Sequence, residues 1–368
     1  MLNTQKILDR AVLGEQISEE ECNFIYRGAS LGQLASAADS IRKRLNPAET
    51  VTYLIDRNIN YTNVCDTACK FCAFYRPYGH KESYILSREI LAQKIEETLE
   101  IGGTRILMQG GHHPDLRLDW YQDLLTWIRE KYPKIQTDCF SPSEIDNICQ
   151  IENKSAYYVL SALKDAGLMG LPGGGAELLD DRIRSRVSPK KISGERWIEI
   201  MDAAHSLKLA TSASMVIGFG EKDENRVRHL TMLRDQQKKA KERGDFGFIA
   251  FIAWTLQHEQ TALGRQSINR GLLGSGANEY LRNLAISRIY LQNITHMQSS
   301  WPTQGYKVAQ VALEFGADDF GSTMMEENVV SQASTKTQQK VQVEEILSLV
   351  QEAGFQPRQR NTWYQIVA

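Results

Sequence analysis

From about residue 50 onward, short apolar or β-branched runs alternate with longer stretches of helical periodicity, and this alternation constrains the fold more than any other feature. Eight runs have the length and composition of buried strands: 55–62, 104–109, 135–139, 167–171, 210–217, 247–254, 294–300 and 316–320. Between them, helices are predicted over Ser87 to Ile101, Trp120 to Lys131, Gly194 to Leu207, Asn225 to Lys241 and Ala277 to Asn293. Parallel strands need crossovers of this length. Eight such units predict an α/β fold, a (β/α)8 barrel over residues 51–335, with its active-site loops at the C-terminal strand ends. A doubly wound open sheet competes less well, because no G-x-G-x-x-G opens a helix after the first strand. Residues 1–50 read as a helical extension, with an apolar periodic stretch from Lys6 to Leu13 and a capping-box pattern from Ser18 to Glu21. Residues 336–368 read as a short α/β tail: a helix, VEEILSLVQEAGF, stopped at Gly354, then an extended end expected to pack on the outside.

Composition narrows the function. The formal net charge is -2 and no Lys/Arg block interleaves with aromatics, so neither nucleic acid nor an anionic membrane is expected as partner. A small-molecule substrate fits better. The N-terminus carries charges throughout, and no run of 18 apolar residues occurs, which predicts a cytoplasmic chain. Six cysteines are too few for a disulfide scaffold, and three of them fall within eight residues, which points to a metal site in a reducing compartment.

That cluster reads C-x3-C-x2-C: Cys65, Cys69 and Cys72, in the loop expected after the first strand. Spaced i, i+4, i+7, the three would form one stripe of a buried helix, but turn-forming Asn63 and Asp66 speak against a helix there. A Cys3His zinc site lacks the paired ligand spacings that such sites use. Soft thiolates suit an iron-sulfur cluster, and because a cubane normally takes four of them, one iron would be left without a protein ligand.

Other chemistry gathers at the same predicted rim. The second strand runs out into Gln109-Gly110-Gly111-His112-His113, where glycine permits close backbone approach and either histidine is placed to move a proton. The third ends in Ser141-Pro142-Ser143-Glu144, and the fourth in Gly173-Gly174-Gly175-Ala176-Glu177, which lacks the Lys-Ser/Thr of a phosphate-binding loop. Ser212 and Ser214, two apart on the fifth strand, are expected to face the interior together. Asp318, Asp319, Glu326 and Glu327 form the densest acidic cluster near a strand end. Cys22, Cys139 and Cys149 read as structural.

The pattern C-x3-C-x-aromatic-C after a first barrel strand resembles the signature of the radical S-adenosylmethionine (SAM) superfamily, built on a TIM barrel. The resemblance implies a 4Fe-4S cluster on Cys65, Cys69 and Cys72, with SAM chelating the open iron. It implies further that Phe71 packs on the adenine and that Gln109, Gly110 and Gly111 bind the methionyl group. Phe74, Glu177 and Ser212 are further cofactor contacts on this reading, Glu177 toward a ribose hydroxyl.

Longer matches narrow the resemblance. NINYTNVC (58–65), ILMQGGHHPDLRLDWY (106–121), LPGGGAELLDDRIR (171–184), GANEYLRNLAISRIYL (276–291) and GADDFGSTMMEENVV (316–330) are similar to the cyclic dehypoxanthinyl futalosine synthase family. Aminofutalosine synthase and FO synthase are its near relatives, and a non-catalytic iron-sulfur electron carrier is the alternative of another kind. The chain departs from the family at Gly218-Phe219-Gly220-Glu221-Lys222, where the family pattern has Gly-His-x-Glu-Thr, and at Ala253, where proline is usual. The resemblance implies ring closure of dehypoxanthine futalosine on the futalosine route to menaquinone, with a low-potential electron donor such as flavodoxin or ferredoxin. A base is then needed near the substrate's aromatic ring, and Asp319, His113 and Glu177 are the candidates.

Overall fold

The computed structural model describes residues 2–266, 271–334 and 341–367. Among the described residues, ten strands form one sheet: β1 (Thr50–Leu54), β2 (Asp56–Asn60), β3 (Arg105–Gln109), β4 (Gln136–Cys139), β5 (Gly170–Leu171), β6 (Ala210–Ile217), β7 (Phe248–Thr255), β8 (His296–Gln298), β9 (Asp319–Ser322) and β10 (Gln356–Gln359). Their order is β10-β1-β9-β8-β7-β6-β5-β4-β3-β2, and every pairing is parallel.

A kinked strand closes this order into a barrel. β1 and β2 are one extended run interrupted only at Ile55; its first half pairs with β9 and its second half with β3. After β9 the chain returns to the same run, with Thr323 donating to the Leu54 carbonyl at 3.0 Å and Asn58 donating to Met325 at 3.3 Å. Ring order therefore matches the eight expected strands, from the kinked run through β3 to β9. The first of them begins at Thr50 rather than at residue 55.

The interior differs from an ordinary barrel core, where bulky branched side chains fill stacked layers. Asn58, Asn60, Ser212, Ser214, Ala250 and Gln298 point inward instead, and a cavity of about 420 Å³ remains. The large apolar residues sit in the outer layer between strands and helices: Trp197, Phe248 and Phe251 are fully buried.

Helices 4–12, 19–28 and 31–45 form the N-terminal extension, each started by a side-chain cap from Asn3, Ser18 or Ser30. They clasp helix 277–290, where the Tyr26 hydroxyl donates to Asn283 Oδ1 at 2.7 Å and Arg282 donates to the Tyr26 and Ala29 carbonyls.

The C-terminal tail departs from expectation. Its helix (Val343–Glu352) ends at Gly354, φ +86°, as expected, and β10 beyond it alternates exposed and half-buried residues; only from Arg360 on is the chain drawn beneath the barrel. β10 pairs with β1 on the side away from β9, and the chain then crosses beneath the strands. Arg360 N–H bonds the Tyr53 carbonyl, Thr362 N–H bonds Gln136 at the start of β4, and Tyr364 stacks on His296 at the start of β8, ring centroids 3.9 Å apart. The barrel floor is thus closed by the tail. The expected boundary at 335/336 lies outside the described residues.

Candidate active site

The cysteine loop is held by its own neck. Cys65 N–H donates to the Arg76 carbonyl and Arg76 N–H to Asn63, at 3.0 and 2.7 Å, while the Arg76 guanidinium gathers the carbonyls of Ala73, Phe74 and Tyr75. Inside that neck Ala68 takes φ +49° and Cys72 N–H turns back to Cys69. Neighbouring rim loops pin the outer edge: Lys70 N–H donates to Val187 at 2.9 Å and Leu263 N–H to Lys70 at 2.7 Å. All three thiols line the barrel cavity, at its strand-exit end.

This thiol set fits an iron-sulfur cluster. Three soft thiolates on one loop would leave one iron of a cubane without a protein ligand. Burial pushes the Cys69 thiol up to about 12 and raises Cys72 as well. Thiolates there need the positive charge of bound metal, so loading the site releases protons.

Glycines govern how the β3 loop meets the cysteine loop. A Cβ on Gly110 would lie 2.6 Å from the Tyr61 ring, and one on Gly111 only 2.1 Å from the Val64 carbonyl oxygen. The Gly-Gly pair is therefore required by protein packing as well as by any ligand. Next along, Gln109 donates to the Phe140 carbonyl at 3.0 Å, and Gly174 approaches its amide so closely that a Cβ would stand 2.5 Å away. Gly173 is held by two serines, donating its N–H to Ser212 Oγ at 3.1 Å while its carbonyl accepts from Ser214 at 2.6 Å. Both serines face the cavity as expected, although they also brace the backbone.

The expected cofactor residues Phe71, Phe74, Gln109, Gly110, Gly111, Glu177 and Ser212 all line the cavity. Phe71 meets Phe219 edge-on, centroids 5.4 Å apart, and Lys191 Nζ stands 5.8 Å from the Phe71 ring. Phe219, one of the positions expected to depart from the family pattern, is buried against Phe71. Glu177, at φ +39°, is ion-paired with Lys191 at 2.6 Å and Arg184 at 3.5 Å.

The three expected bases separate. Glu177 reaches the cavity; His113 and Asp319 do not. His113 is buried behind the loop, where Nδ1 accepts from Asp115 N–H at 3.2 Å and its ring meets Tyr78 edge-on. Its neighbour His112 takes the inner position, with Nδ1 3.0 Å from Thr67 Oγ1, and burial lowers its pKa to about 4. Asp319 opens β9 at the floor and is fully buried, held by Arg360, Thr52 Oγ1 at 2.6 Å and Gly321 N–H at 2.8 Å. Asp318 is likewise bound to Arg288 and His296, each at 2.6 Å. Glu326 pairs with Arg57 and Lys94, while Glu327 lines the cavity and caps helix Val329–Ala333 through three backbone N–H groups.

Glu144, expected at the rim as part of Ser141-Pro142-Ser143-Glu144, and Lys191, not named from sequence, both line the cavity. Glu144 accepts from Tyr61 Oη at 2.9 Å, Gly110 N–H at 2.9 Å and Ser141 Oγ at 2.8 Å. Burial nevertheless pushes its carboxyl up to about 7. The S-x-x-E spacing from Ser141 was a visible signal for a helix start; nothing local marks Lys191.

A barrel with its cavity opening onto a C-x3-C-x2-C loop defines a radical SAM enzyme, and residues 59–233 match the radical SAM superfamily. Residues 245–368 match the CofH/MqnC C-terminal region, which includes the tail beneath the floor. The chain belongs to the cyclic dehypoxanthine futalosine synthase family: it is 45% identical to the Halalkalibacterium halodurans protein of that name, covering 98% of this chain and 94% of the relative. The Streptomyces coelicolor protein of the same name is 42% identical over 98% and 88%. An Archaeoglobus fulgidus 5-amino-6-(D-ribitylamino)uracil--L-tyrosine 4-hydroxyphenyl transferase is 36% identical over 90% and 92%. Among solved structures, methylornithine synthase shares the fold at TM-score 0.73 and 16% identity, covering 95% of this chain and 97% of its own. The hydrogenase maturase HydG gives 0.75 and 16%, covering 98% and 76%.

Proposed function

We propose that this enzyme closes a carbocycle in dehypoxanthine futalosine, giving cyclic dehypoxanthine futalosine on the futalosine route to menaquinone. The observation that carries the reading is one cavity lined at its mouth by three cysteines, in a chain most of whose length aligns with two proteins named for that synthesis.

Cys65, Cys69 and Cys72, which line the cavity, would hold the 4Fe-4S cluster, and Phe71, Phe74, Gln109, Gly110, Gly111, Glu177 and Ser212 would form the wall for SAM. When bound, the cluster and SAM would supply the radical chemistry that removes a hydrogen atom from the substrate. In the substrate the hydrogen would leave C4' of the ribose, the sugar carbon would bond to the neighbouring aromatic ring, and rearomatisation would pass one proton to a base and one electron back to the oxidised electron carrier. Glu177 is the expected base that reaches the cavity, and its pairing with Lys191 and Arg184 fixes its carboxylate in place. A walled cavity holds substrate close and keeps out water and oxidants, which a primary-carbon radical requires. No described helix is long and apolar enough to cross a membrane, and the free thiols suit the cytoplasm, where flavodoxin or ferredoxin supplies the electron.

The test is anaerobic incubation of cluster-loaded enzyme with SAM, reductant and either dehypoxanthine futalosine or the enolpyruvyl-benzoate substrate of aminofutalosine synthase. Cyclised product is expected from the first alone. Turnover of the second only would reassign the enzyme to that relative, and release of no methionine or 5'-deoxyadenosine would make it an electron carrier.

A further inference from the structure

The floor of the cavity is built by the tail. Arg360, Thr362 and Tyr364 lie on its wall, opposite the cysteine mouth. Three polar atoms there, Asn58 Oδ1, Thr362 Oγ1 and Tyr364 Oη, are buried with no hydrogen-bond partner among the described residues. Asn58 and Thr362 are each only 6% exposed. Folded chains leave few such groups unmet, and three on one cavity wall mark a place where a ligand's polar atoms complete the bonding.

The chemistry of that wall is donor-rich. Two of the three unmet groups are hydroxyls, and the Asn58 amide presents N–H in place of oxygen by a half-turn. Arg105 and Arg360 line the same wall, whereas Asp56 and Asp319, the acids that bind them, do not. Asp138 is the acid that does reach it, ion-paired with Arg105 at 3.0 Å. Donors backed by guanidinium groups suit an acceptor with two oxygens.

We propose that this floor is a subsite for a carboxylate of the organic substrate, held by Thr362, Tyr364 and Asn58 in front of Arg105 and Arg360. The substrate's reacting end is then directed up toward the cysteine loop. This rests on the functional reading above, in which the substrate's aromatic ring bears such a carboxylate, and it gives the family-specific C-terminal region a direct part in substrate recognition.

Equilibrium binding to the cluster-loaded enzyme without oxygen tests it, using dehypoxanthine futalosine and its carboxamide analogue with wild type, Thr362→Val and Tyr364→Phe. Wild type is expected to bind the acid about tenfold or more tighter than the carboxamide, as for a hydrogen bond to a charged group. Each variant is expected to weaken the acid by about tenfold while barely changing the carboxamide. Neither substitution breaks a bond within the protein, so both should keep the wild-type thermal midpoint. Equal binding of acid and amide by wild type overturns the subsite, and this comparison stands even if a variant fails to fold. Wild-type turnover with acid affinity unchanged in both variants overturns the subsite alone; a wild type that neither binds nor converts the acid overturns the functional reading and the subsite with it.

Discussion

Cys69 is the least exposed of the three loop cysteines, and its position shows what a single residue can establish. A buried thiol with its pKa near 12 has little use as a nucleophile, but it becomes a ligand when metal replaces its proton. Cys69→Ser is expected to lower bound iron and visible absorbance to background and to abolish 5'-deoxyadenosine release. Glu144 behaves in the opposite sense. Its folded pKa of about 7 lies above the ordinary 4.5, so the folded chain binds more protons than the unfolded one between those values. Stability is therefore full below about pH 4.5 and falls as pH rises through 7, by at most about 1.4 kcal/mol per pH unit. Glu144→Gln should flatten that slope, read from thermal midpoints between pH 5 and 8. From sequence Glu144 was legible as part of the rim loop after the third strand; its reach to Gly110 and Tyr61 arises only on folding, because those partners are 34 and 83 residues away.

Among the elements, the cysteine loop and the β3 loop work as a pair. The second carries Gly110 and Gly111 so that the first can lie against it. Gly111→Ala puts a methyl group 2.1 Å from backbone oxygen, which no side-chain rotation relieves. A loss of about 1–3 kcal/mol in stability is expected, together with incomplete cluster loading, checked by denaturant unfolding and iron content. Sequence placed the eight ring strands in order because apolar runs and turn residues are local signals. Their ends were less legible. The run at 316–320 became β9 at Asp319–Ser322, since Asp318 is drawn into pairing with Arg288 and His296 and the strand continues through Gly321. β5 shrank to Gly170–Leu171, and its glycine is needed because Asp138 Oδ1 would stand 2.2 Å from a Cβ there. β1 was missed because its partners are β9 and β10, far along the chain.

At the scale of the molecule, barrel and tail share buried charges. Arg360 reaches Asp319 inside the floor, and neither has appreciable exposure. Removing one partner leaves an uncompensated buried charge, so Arg360→Met is expected to cost about 3–5 kcal/mol. Asp319→Asn in the same chain should recover part of that loss, as a calorimetric cycle would show. Sequence alone determined what rests on short-range spacing: the βα alternation, the three thiols within eight residues, and the glycines at the rim. Tertiary structure decided which charged groups face the cavity and which are consumed in pairs. Asp319 looked like a base beside a strand end, yet it is held by Thr52, 267 residues away, and Arg360, 41 away. Burial and pairing across such separations depend on how the strands close, and no local pattern encodes that closure.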